Sequence, residues 1–271
     1  MLPILIATGA VVGFTAALLG VGGGFIMVPV MYWVMSSASV PEDIALRTAF
    51  GTSLLVILPT VMSSSWRHHK AAAVVWKVSL VLGPMGAIGA LAGSTIASYV
   101  PCGPLKIGFG VFVLLIALRM AIGLKTAASG EVEPPLPKRS HLVVLGLVMG
   151  VISGMTGLGG GALMVPAFVL LFHFPMRRAV ATSSAAIIFT AIGGIIGYVV
   201  NGMDVAGRLP YSIGYVNLAI FAALVVTSVP MAQLGARAAH AIDASKLRLL
   251  FVVLMVYVGL RMMGVLALIG L

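Results

Sequence analysis

The sequence predicts an all-α integral membrane protein that is built from two related halves. Of the 271 residues, 61% are hydrophobic and 8% are charged, a composition that excludes a water-soluble globular domain. Five apolar runs reach the roughly 17 to 25 residues that a helix needs to cross a bilayer, and they cover residues 74–100, 105–124, 179–200, 211–234 and 247–271. The chain also contains an internal repeat, which sets the order of its elements.

The repeat is clearest at a glycine-rich segment near the start of each half. Residues 13–29 (GFTAALLGVGGGFIMVP) and 150–166 (GVISGMTGLGGGALMVP) agree at 8 of 17 positions without a gap. Between the halves lies the one sustained polar and proline-rich stretch of the sequence. These features predict a first membrane repeat at 1–124, a cytoplasmic linker at 125–140 and a second membrane repeat at 141–271.

The first element of each half is predicted to be a helical hairpin that lies within the membrane. Residues 2–34 would form a straight helix of about 50 Å, which is too long for one crossing and too short for two. The glycines at its centre favour two short helices that meet inside the bilayer, the second beginning at Phe25. Residues 141–174 repeat the pattern, with the second short helix beginning at Ala162.

Three spanning helices complete each half, so the protein has ten elements, or eight by the conventional count of segments. Five elements per half place 12 basic residues on one side of the membrane and 4 on the other, namely Arg47, Lys106, Arg208 and Arg261. A single crossing in place of each hairpin would divide them 7 to 9. Because Lys and Arg collect in cytoplasmic loops, we expect two inverted repeats, with the linker in the cytoplasm and both termini outside.

The glycines of the two hairpins are the first candidates for substrate binding. In an inverted repeat the two turns enter from opposite sides and can meet near the midplane, where transporters of this architecture bind substrate. Each turn opens a short helix, whose N-terminal N–H groups carry partial positive charge and attract anions. The candidates are Gly22, Gly23, Gly24, Gly159, Gly160 and Gly161. The alternative is that these glycines only permit close packing of helices.

Hydroxyl and guanidinium groups recur after both glycine turns and are further candidates for binding substrate. The hydroxyls could donate hydrogen bonds to an oxyanion, and an arginine could attract the anion or pair with it. The alternative for each hydroxyl is a bond back to the preceding helical turn. The recurring residues are Arg47, Thr52 and Ser53 in the first half and Arg177, Thr182 and Ser183 in the second.

The remaining polar residues argue against other functions. All six acidic residues fall in predicted loops or at span edges, whereas cation pumps and antiporters usually carry buried carboxylates. No metal-ligand spacing and no catalytic or nucleotide-binding motif is present, so we expect no enzyme activity, no metal and no cofactor. His68 and His69 are interpreted as part of a solvated cytoplasmic loop. The formal charge of +10 is explained by cytoplasmic loops, so nucleic acid is not an expected partner.

The paired motif resembles that of a known family. In both halves a GLGGG-like turn is followed by Val-Pro, at residues 20–29 and 157–166, and then by Ala-x-x-Thr-Ser. This pattern is similar to that of the sulfite exporter TauE/SafE family of membrane permeases, and the likeness extends over nearly the whole chain. The first turn departs mildly from the pattern, because it reads GVGGG.

The resemblance implies a secondary transporter that moves a small sulfur-containing anion, such as sulfite or an organosulfonate, outward across the bacterial inner membrane. Alternating access would occur about the midplane site framed by the glycine turns. The expected partners are a small anionic substrate and membrane lipid, and the formation of a homo-oligomer stays open. The alternatives are an anion channel and a non-transporting membrane subunit.

Overall fold

The computed structural model describes residues 2–20, 22–122 and 137–238, together with 249, 252–253, 255–257, 259–260 and 262–265. Nine helices are defined within these residues: α1 (Leu2–Leu19), α2 (Gly24–Ser37), α3 (Glu42–Lys70), α4 (Trp76–Tyr99), α5 (Cys102–Ile122), α6 (Arg139–Thr156), α7 (Gly161–Phe172), α8 (Met176–Gly202) and α9 (Leu218–Ala238). A small hairpin pairs β1 (Ser212–Ile213) with β2 (Val216–Asn217). Most of the described residues between 249 and 262 are also helical.

The fold is that of an all-α integral membrane protein, as the sequence predicts. Within the described residues, six helices are long and apolar enough to cross a bilayer, namely α3, α4, α5, α6, α8 and α9. Each segment predicted to form a hairpin is divided at its glycines into two helices, α1 and α2 in the first half and α6 and α7 in the second. The first arm of each has 18 residues, about 27 Å of helix, while the second arms have 14 and 12. Each hairpin thus joins a long arm to a short one.

Helices α3 and α8 form the centre of the bundle and run in opposite directions. They are the most deeply buried of the long helices. Gly51, early in α3, lies against Tyr198, late in α8, while the Val75 amide that follows α3 contacts Thr182, early in α8. Ile57 of α3 and Ile187 of α8 are fully buried between these ends.

The outer helices pack across the two halves. Helix α1 packs on α9, and α6 packs on α4. Glycines bring the backbones together: an added Cβ at Gly13 would lie 2.1 Å from the carbonyl oxygen of Ser228, and one at Gly150 would lie 2.2 Å from that of Gly86. Such close approach is usual where small residues line membrane helix interfaces. Neither half therefore buries its first helix without the other half.

The bundle has two distinct ends. At the end that we call the basic end, the last turn of α3 contacts the C-terminal part of α9 through Arg67 and Gln233. At the other end, the β-hairpin end, the first turns of α3 contact the end of α4 and the β-hairpin through Arg47. The described basic residues divide unevenly: Arg67, Lys70, Lys77, Arg119, Lys138, Arg139, Arg177, Arg178 and Arg237 lie toward the basic end, and Arg47, Lys106 and Arg208 toward the β-hairpin end.

Several boundaries differ from the sequence predictions. The span predicted at 211–234 begins with the β-hairpin, and α9 starts at Leu218 because Asn217 caps it by accepting from the Ile220 amide. Helix α6 starts at Arg139, so the last residues of the predicted linker at 125–140 are helical. Residues 125–136 of that linker, and much of the span predicted at 247–271, lie outside the described residues.

The interpretation of His68 and His69 as a solvated loop is wrong. Both residues belong to the last turn of α3. His68 is only 1% exposed, on the same helix face as the buried Ser64 and Ser65. The Nδ1 atom of His69 accepts a hydrogen bond from the indole N–H of Trp76 at 3.0 Å. The basic residues beside these histidines resemble a loop in sequence, but they lie on the outer face of a continuing helix.

Candidate functional site

The two glycine turns have the same backbone conformation. In the first turn Gly20, Gly22 and Gly23 have φ of 67°, 81° and 79°. In the second turn Gly157, Gly159 and Gly160 have φ of 67°, 75° and 82°. Side chains with a Cβ adopt this left-handed region at a cost, which explains glycine at these positions. Helices α2 and α7 then begin at Gly24 and Gly161, one residue earlier than predicted.

The turns touch each other in the centre of the bundle. A Cβ added to Gly24 would lie 2.5 Å from the carbonyl oxygen of Gly157, and one added to Gly22 would lie 3.1 Å from that of Leu158. Ile57 contacts both turns, because its side chain lies within 3.7 Å of the Cβ positions of Gly22 and Gly159. All six candidate glycines are buried. The fold therefore brings together two segments that are 137 residues apart in sequence.

The amide groups of these glycines are exceptional for buried backbone. Within the described residues, the N–H groups of Gly159, Gly160 and Gly161 donate to no protein acceptor, and the same holds for Gly22, Gly23 and Gly24. In the short helices, the amides of Ile26 and Leu163 donate to the carbonyl oxygens of Gly23 and Gly160. Buried unpaired amides are rare in proteins. Successive N–H groups that follow a left-handed residue form a concave nest for an anion.

The serines of the Thr-Ser pairs fix each turn to the opposite half. The hydroxyl of Ser53 lies 2.7 Å from the carbonyl oxygen of Gly157, and that of Ser183 lies 3.1 Å from the carbonyl oxygen of Gly20. Each hydroxyl also lies within bonding distance of the carbonyl three residues before it, at Phe50 and Val180. Each hydroxyl proton is thus shared between a carbonyl of its own helix and a carbonyl of the opposite turn. The contact with the turn exists only when the two halves are packed together.

The threonines of the pairs make an equivalent contact with a different element. The Thr52 hydroxyl accepts a hydrogen bond from the Asn217 amide at 2.9 Å, and the Thr182 hydroxyl accepts one from the Val75 amide at 3.1 Å. Asn217 and Val75 directly precede α9 and α4. Each threonine therefore satisfies the amide of the residue that directly precedes a helix. All four hydroxyl residues are buried and engaged with backbone.

The two arginines are not brought to the glycine turns. The Arg47 guanidinium, at the β-hairpin end, donates to the Val100 carbonyl at 3.2 Å and to the Tyr215 hydroxyl at 3.4 Å. It also lies 5.8 Å from the centre of the Tyr215 ring. Arg177 is exposed at the second residue of α8, toward the basic end. The correspondence in sequence does not extend to their surroundings, because Arg47 contacts Val100 and the β-hairpin residue Tyr215, whereas Arg177 is exposed.

One hydroxyl near the turns was missed by the sequence analysis. The Thr190 hydroxyl lies 2.9 Å from the carbonyl oxygen of Gly159. Its counterpart Thr60 instead lies 3.0 Å from the Ser228 hydroxyl. A signal existed in the sequence, since both threonines follow the serine of the Thr-Ser pair by seven residues, or two helical turns.

Acidic groups and metal ligands are remote from the turns. In the part of the chain that the structure describes, the acidic residues are Glu42, Asp43 and Asp204, and all are exposed near the β-hairpin end. No group of three or more His, Cys, Asp or Glu residues within that part could hold a metal ion. The charge around the turns is thus the partial positive charge of amides and helix N-termini, which favours an anion.

Comparison with known proteins agrees with the membrane fold. The family described as sulfite exporter TauE/SafE matches residues 5–262 of the chain. A probable membrane transporter protein of Methanocaldococcus jannaschii is 29% identical over 264 residues, which cover 97% of this chain and 96% of that protein. The probable membrane transporter protein YunE of Bacillus subtilis is 30% identical over 214 residues, which cover 73% of this chain and 78% of that protein. No solved structure matches the chain.

Proposed function

The chain belongs to the sulfite exporter TauE/SafE family and is a multi-pass membrane transporter, and we propose that it exports a small sulfur-containing anion, such as sulfite or an organosulfonate, across the bacterial inner membrane. The family description supports this class of substrate. The binding site of the proposal consists of the amides at Gly22, Gly23 and Gly24 and those at Gly159, Gly160 and Gly161. Transport through this site requires no catalytic group or cofactor.

The observation that supports the site most directly is the set of buried glycine amides without a protein acceptor in the described residues. A sulfur oxyanion offers several acceptor oxygens to such donors, and a hydrogen bond to a charged group is worth about 1.5 to 3 kcal/mol. Two helix N-termini add favourable partial charge. Because the two turns come from different halves, movement of one half against the other would change access to the anion.

The flanking residues have separate parts in this proposal. Ser53 and Ser183 hold each turn to the opposite half, while Thr52 and Thr182 hold the helix starts beside them. Arg47 and Arg177 attract the anion at the two ends of the bundle rather than at its centre. The uneven distribution of basic residues supports a cytoplasmic basic end. We therefore infer inverted halves with both termini outside.

The proposal is tested by uptake of labelled anions into proteoliposomes. Sulfite, thiosulfate, sulfoacetate and sulfate would be supplied to vesicles with the native protein and with the double variant Gly22→Ala and Gly159→Ala. Alanine at φ near +80° is strained, and its methyl group lies in the space beside the amides. We expect native vesicles to accumulate at least one sulfur anion and the double variant to lose about tenfold or more in rate.

A matched control separates loss of the site from backbone strain. Gly207 and Gly264 both have φ of +76°, and a Cβ at either would meet no atom of the described residues closer than 3.5 Å. The double variant Gly207→Ala and Gly264→Ala has the same kind of strain away from the turns and is expected to transport normally. If native vesicles move no anion, or if both double variants transport equally, the assigned site is wrong. Saturation and counterflow would distinguish the transporter from an anion channel, and absence of any flux would favour a non-transporting subunit.

The orientation is tested separately with single cysteines. After replacement of the only cysteine, Cys102, a cysteine would be introduced by Asp204→Cys at the β-hairpin end or by Lys77→Cys at the basic end, where both native side chains are exposed. An impermeant maleimide should label Asp204→Cys in intact cells and Lys77→Cys only after lysis. The reverse pattern would overturn the proposed topology.

A further inference from the structure

A basic cleft of about 540 Å³ lies between the last turns of α3 and α9. Three cationic side chains line it, and none of the described residues that line it is acidic. The lining comprises Trp66, Arg67, Lys70, Ala71, Gln233 and Arg237. Within the described residues, the ion pairs with carboxylates are those of Arg47 and Lys106, both at the β-hairpin end. Among the described residues, the cleft therefore concentrates positive charge with no carboxylate paired to it, which favours an anionic ligand.

Hydrogen bonds fix part of the cleft. Arg67 donates to the side-chain oxygen of Gln233 at 3.4 Å, and the Gln233 amide nitrogen donates to the Ser63 hydroxyl at 2.9 Å. The Lys70 ammonium lies 5.2 Å from the centre of the Trp66 ring. The Arg67 guanidinium has five N–H donors, so most of them remain for a ligand. A phosphate group matches this arrangement, because arginine and lysine both bind it through charge-assisted hydrogen bonds.

The cleft faces away from the proposed transport site. Trp66 and Lys70 lie on one face of α3 with Met62, one turn apart, and all three are exposed. Ser64, Ser65 and His68 lie on the opposite face and are buried. The buried Ile57, which contacts the glycine turns, lies two turns before Ser64. A ligand in the cleft would therefore lie at the rim of the bundle rather than on the route from the turns.

An apolar track leads from the cleft toward the middle of the membrane. On α3, Met62 is 52% exposed and Trp66 is 60% exposed. On α9, Val226 is 69% exposed and Pro230 is also exposed, and both lie on the helix face that continues to Gln233 and Arg237. A soluble anion would leave this track unused. An acyl chain attached to the anion would cover it.

We propose that the cleft binds the phosphate group of an anionic phospholipid in the leaflet at the basic end, with an acyl chain lying along Met62 and Val226. Basic pockets between membrane helices suit such headgroups. A free phosphate shares the charge and the hydrogen-bonding groups but lacks the chain. The lipid site is independent of the proposed anion transport, because it uses no residue of the glycine turns.

Trp66 provides a direct probe of the site. The chain has three tryptophans, so Trp33→Phe with Trp76→Phe leaves Trp66 as the only one. This protein would be placed in phosphatidylcholine vesicles that contain a fixed minor fraction of lipid with brominated acyl chains. Bromine quenches tryptophan fluorescence on contact. We expect brominated phosphatidylglycerol to quench Trp66 more strongly than brominated phosphatidylcholine at the same fraction.

The charge of the cleft is tested against a matched set of basic residues. The cleft variant carries Lys70→Gln and Arg237→Gln, which leaves the Arg67–Gln233 bond in place and so protects the fold. The control carries Lys77→Gln and Lys138→Gln, which removes the same charge from exposed positions at the same end. Both variants lose two positive charges, so the non-specific electrostatic attraction to anionic lipid decreases equally in the two. The cleft variant is expected to bind phosphatidylglycerol about tenfold more weakly than the control, equivalent to one charge-assisted hydrogen bond.

Two results would overturn the lipid assignment. The first is that brominated phosphatidylglycerol exceeds brominated phosphatidylcholine in quenching Trp66 by the same amount in the cleft variant and in the control. That result would show that Lys70 and Arg237 form no specific site. Relief of quenching by millimolar inorganic phosphate or glycerol phosphate would show that the ligand is a soluble anion. Preferential quenching that is lost only in the cleft variant, and that persists with both soluble anions present, supports the proposal.

Discussion

The two halves are alike where they touch each other and different where they do not. At the centre, both glycine turns have left-handed residues at the same three positions, and each is held by a serine of the other half. At the ends, α3 and α4 are joined by a turn of five residues, whereas a β-hairpin lies between α8 and α9. Each half therefore supplies structure that the other needs where they are in contact, whereas the connections at the two ends differ.

The helix contacts outside the turns follow the same rule. An added Cβ at Gly9 would lie 2.4 Å from the Leu224 carbonyl oxygen, and one at Gly146 would lie 2.5 Å from that of Leu82. These two glycines are counterparts in the repeat, separated like the glycine turns by 137 residues. A larger residue in place of either glycine would clash with the backbone of the neighbouring helix or force the two helices apart. The predictions below test how far the equivalence extends.

The largest effect is expected from filling the helix contacts with Gly13→Leu or Gly150→Leu. Both positions face backbone, which cannot move aside as a side chain can, so each change should cost at least about 3 kcal/mol, the upper end of overpacking costs. Monodispersity in size-exclusion chromatography would be lost for both. Gly108→Leu is the control, because a Cβ at Gly108 in α5 meets no atom of the described residues within 4 Å. If one of the two leucine variants stays monodisperse and the other does not, the two interfaces are not equivalent.

A smaller and matched effect is expected from Ser53→Ala and Ser183→Ala. Each change leaves a buried glycine carbonyl of the opposite half without its hydroxyl donor, which costs about 1 to 3 kcal/mol. The midpoint temperature of thermal unfolding in detergent should fall for both variants. The decrease for Ser53→Ala should be at least as large as that for Ser183→Ala, because the bond from Ser53 to the turn is shorter, 2.7 Å against 3.1 Å. Ser37→Ala, which removes an exposed hydroxyl bonded within α2, is the control. A loss in only one variant would mean that one turn is held by other contacts.

Much of the central architecture could be predicted from sequence. The length of residues 2–34 and the glycines within it predict the hairpins, because chain length and backbone freedom are local properties. The bond from Ser53 to Gly157 could not be predicted. The local sequence is the same whether the serine hydroxyl bonds only to its own helix or also to the turn of the other half. The hairpins are local features, while the bond that links them depends on the assembled fold.

The predictions failed mainly at the ends of the bundle. His68 lies beside basic residues that suggest a loop, and only the packed structure shows that one face of this last turn is buried. The expected equivalence of Arg47 and Arg177 rested on spacing within each half. Their surroundings depend on elements that differ between the halves, namely the β-hairpin residue Tyr215 for Arg47 and solvent for Arg177.

The smallest effect is expected from the two arginines. Arg47→Gln removes the contacts with the Val100 carbonyl and the Tyr215 ring and should cost about 1 kcal/mol of stability. Arg177→Gln changes an exposed residue and should stay within about 0.5 kcal/mol. Thermal unfolding would measure both, and the KM of anion uptake would be measured beside it. If the two variants raise KM equally and leave stability unchanged, then both arginines act on the anion alike, and the equivalence of the halves extends to their ends.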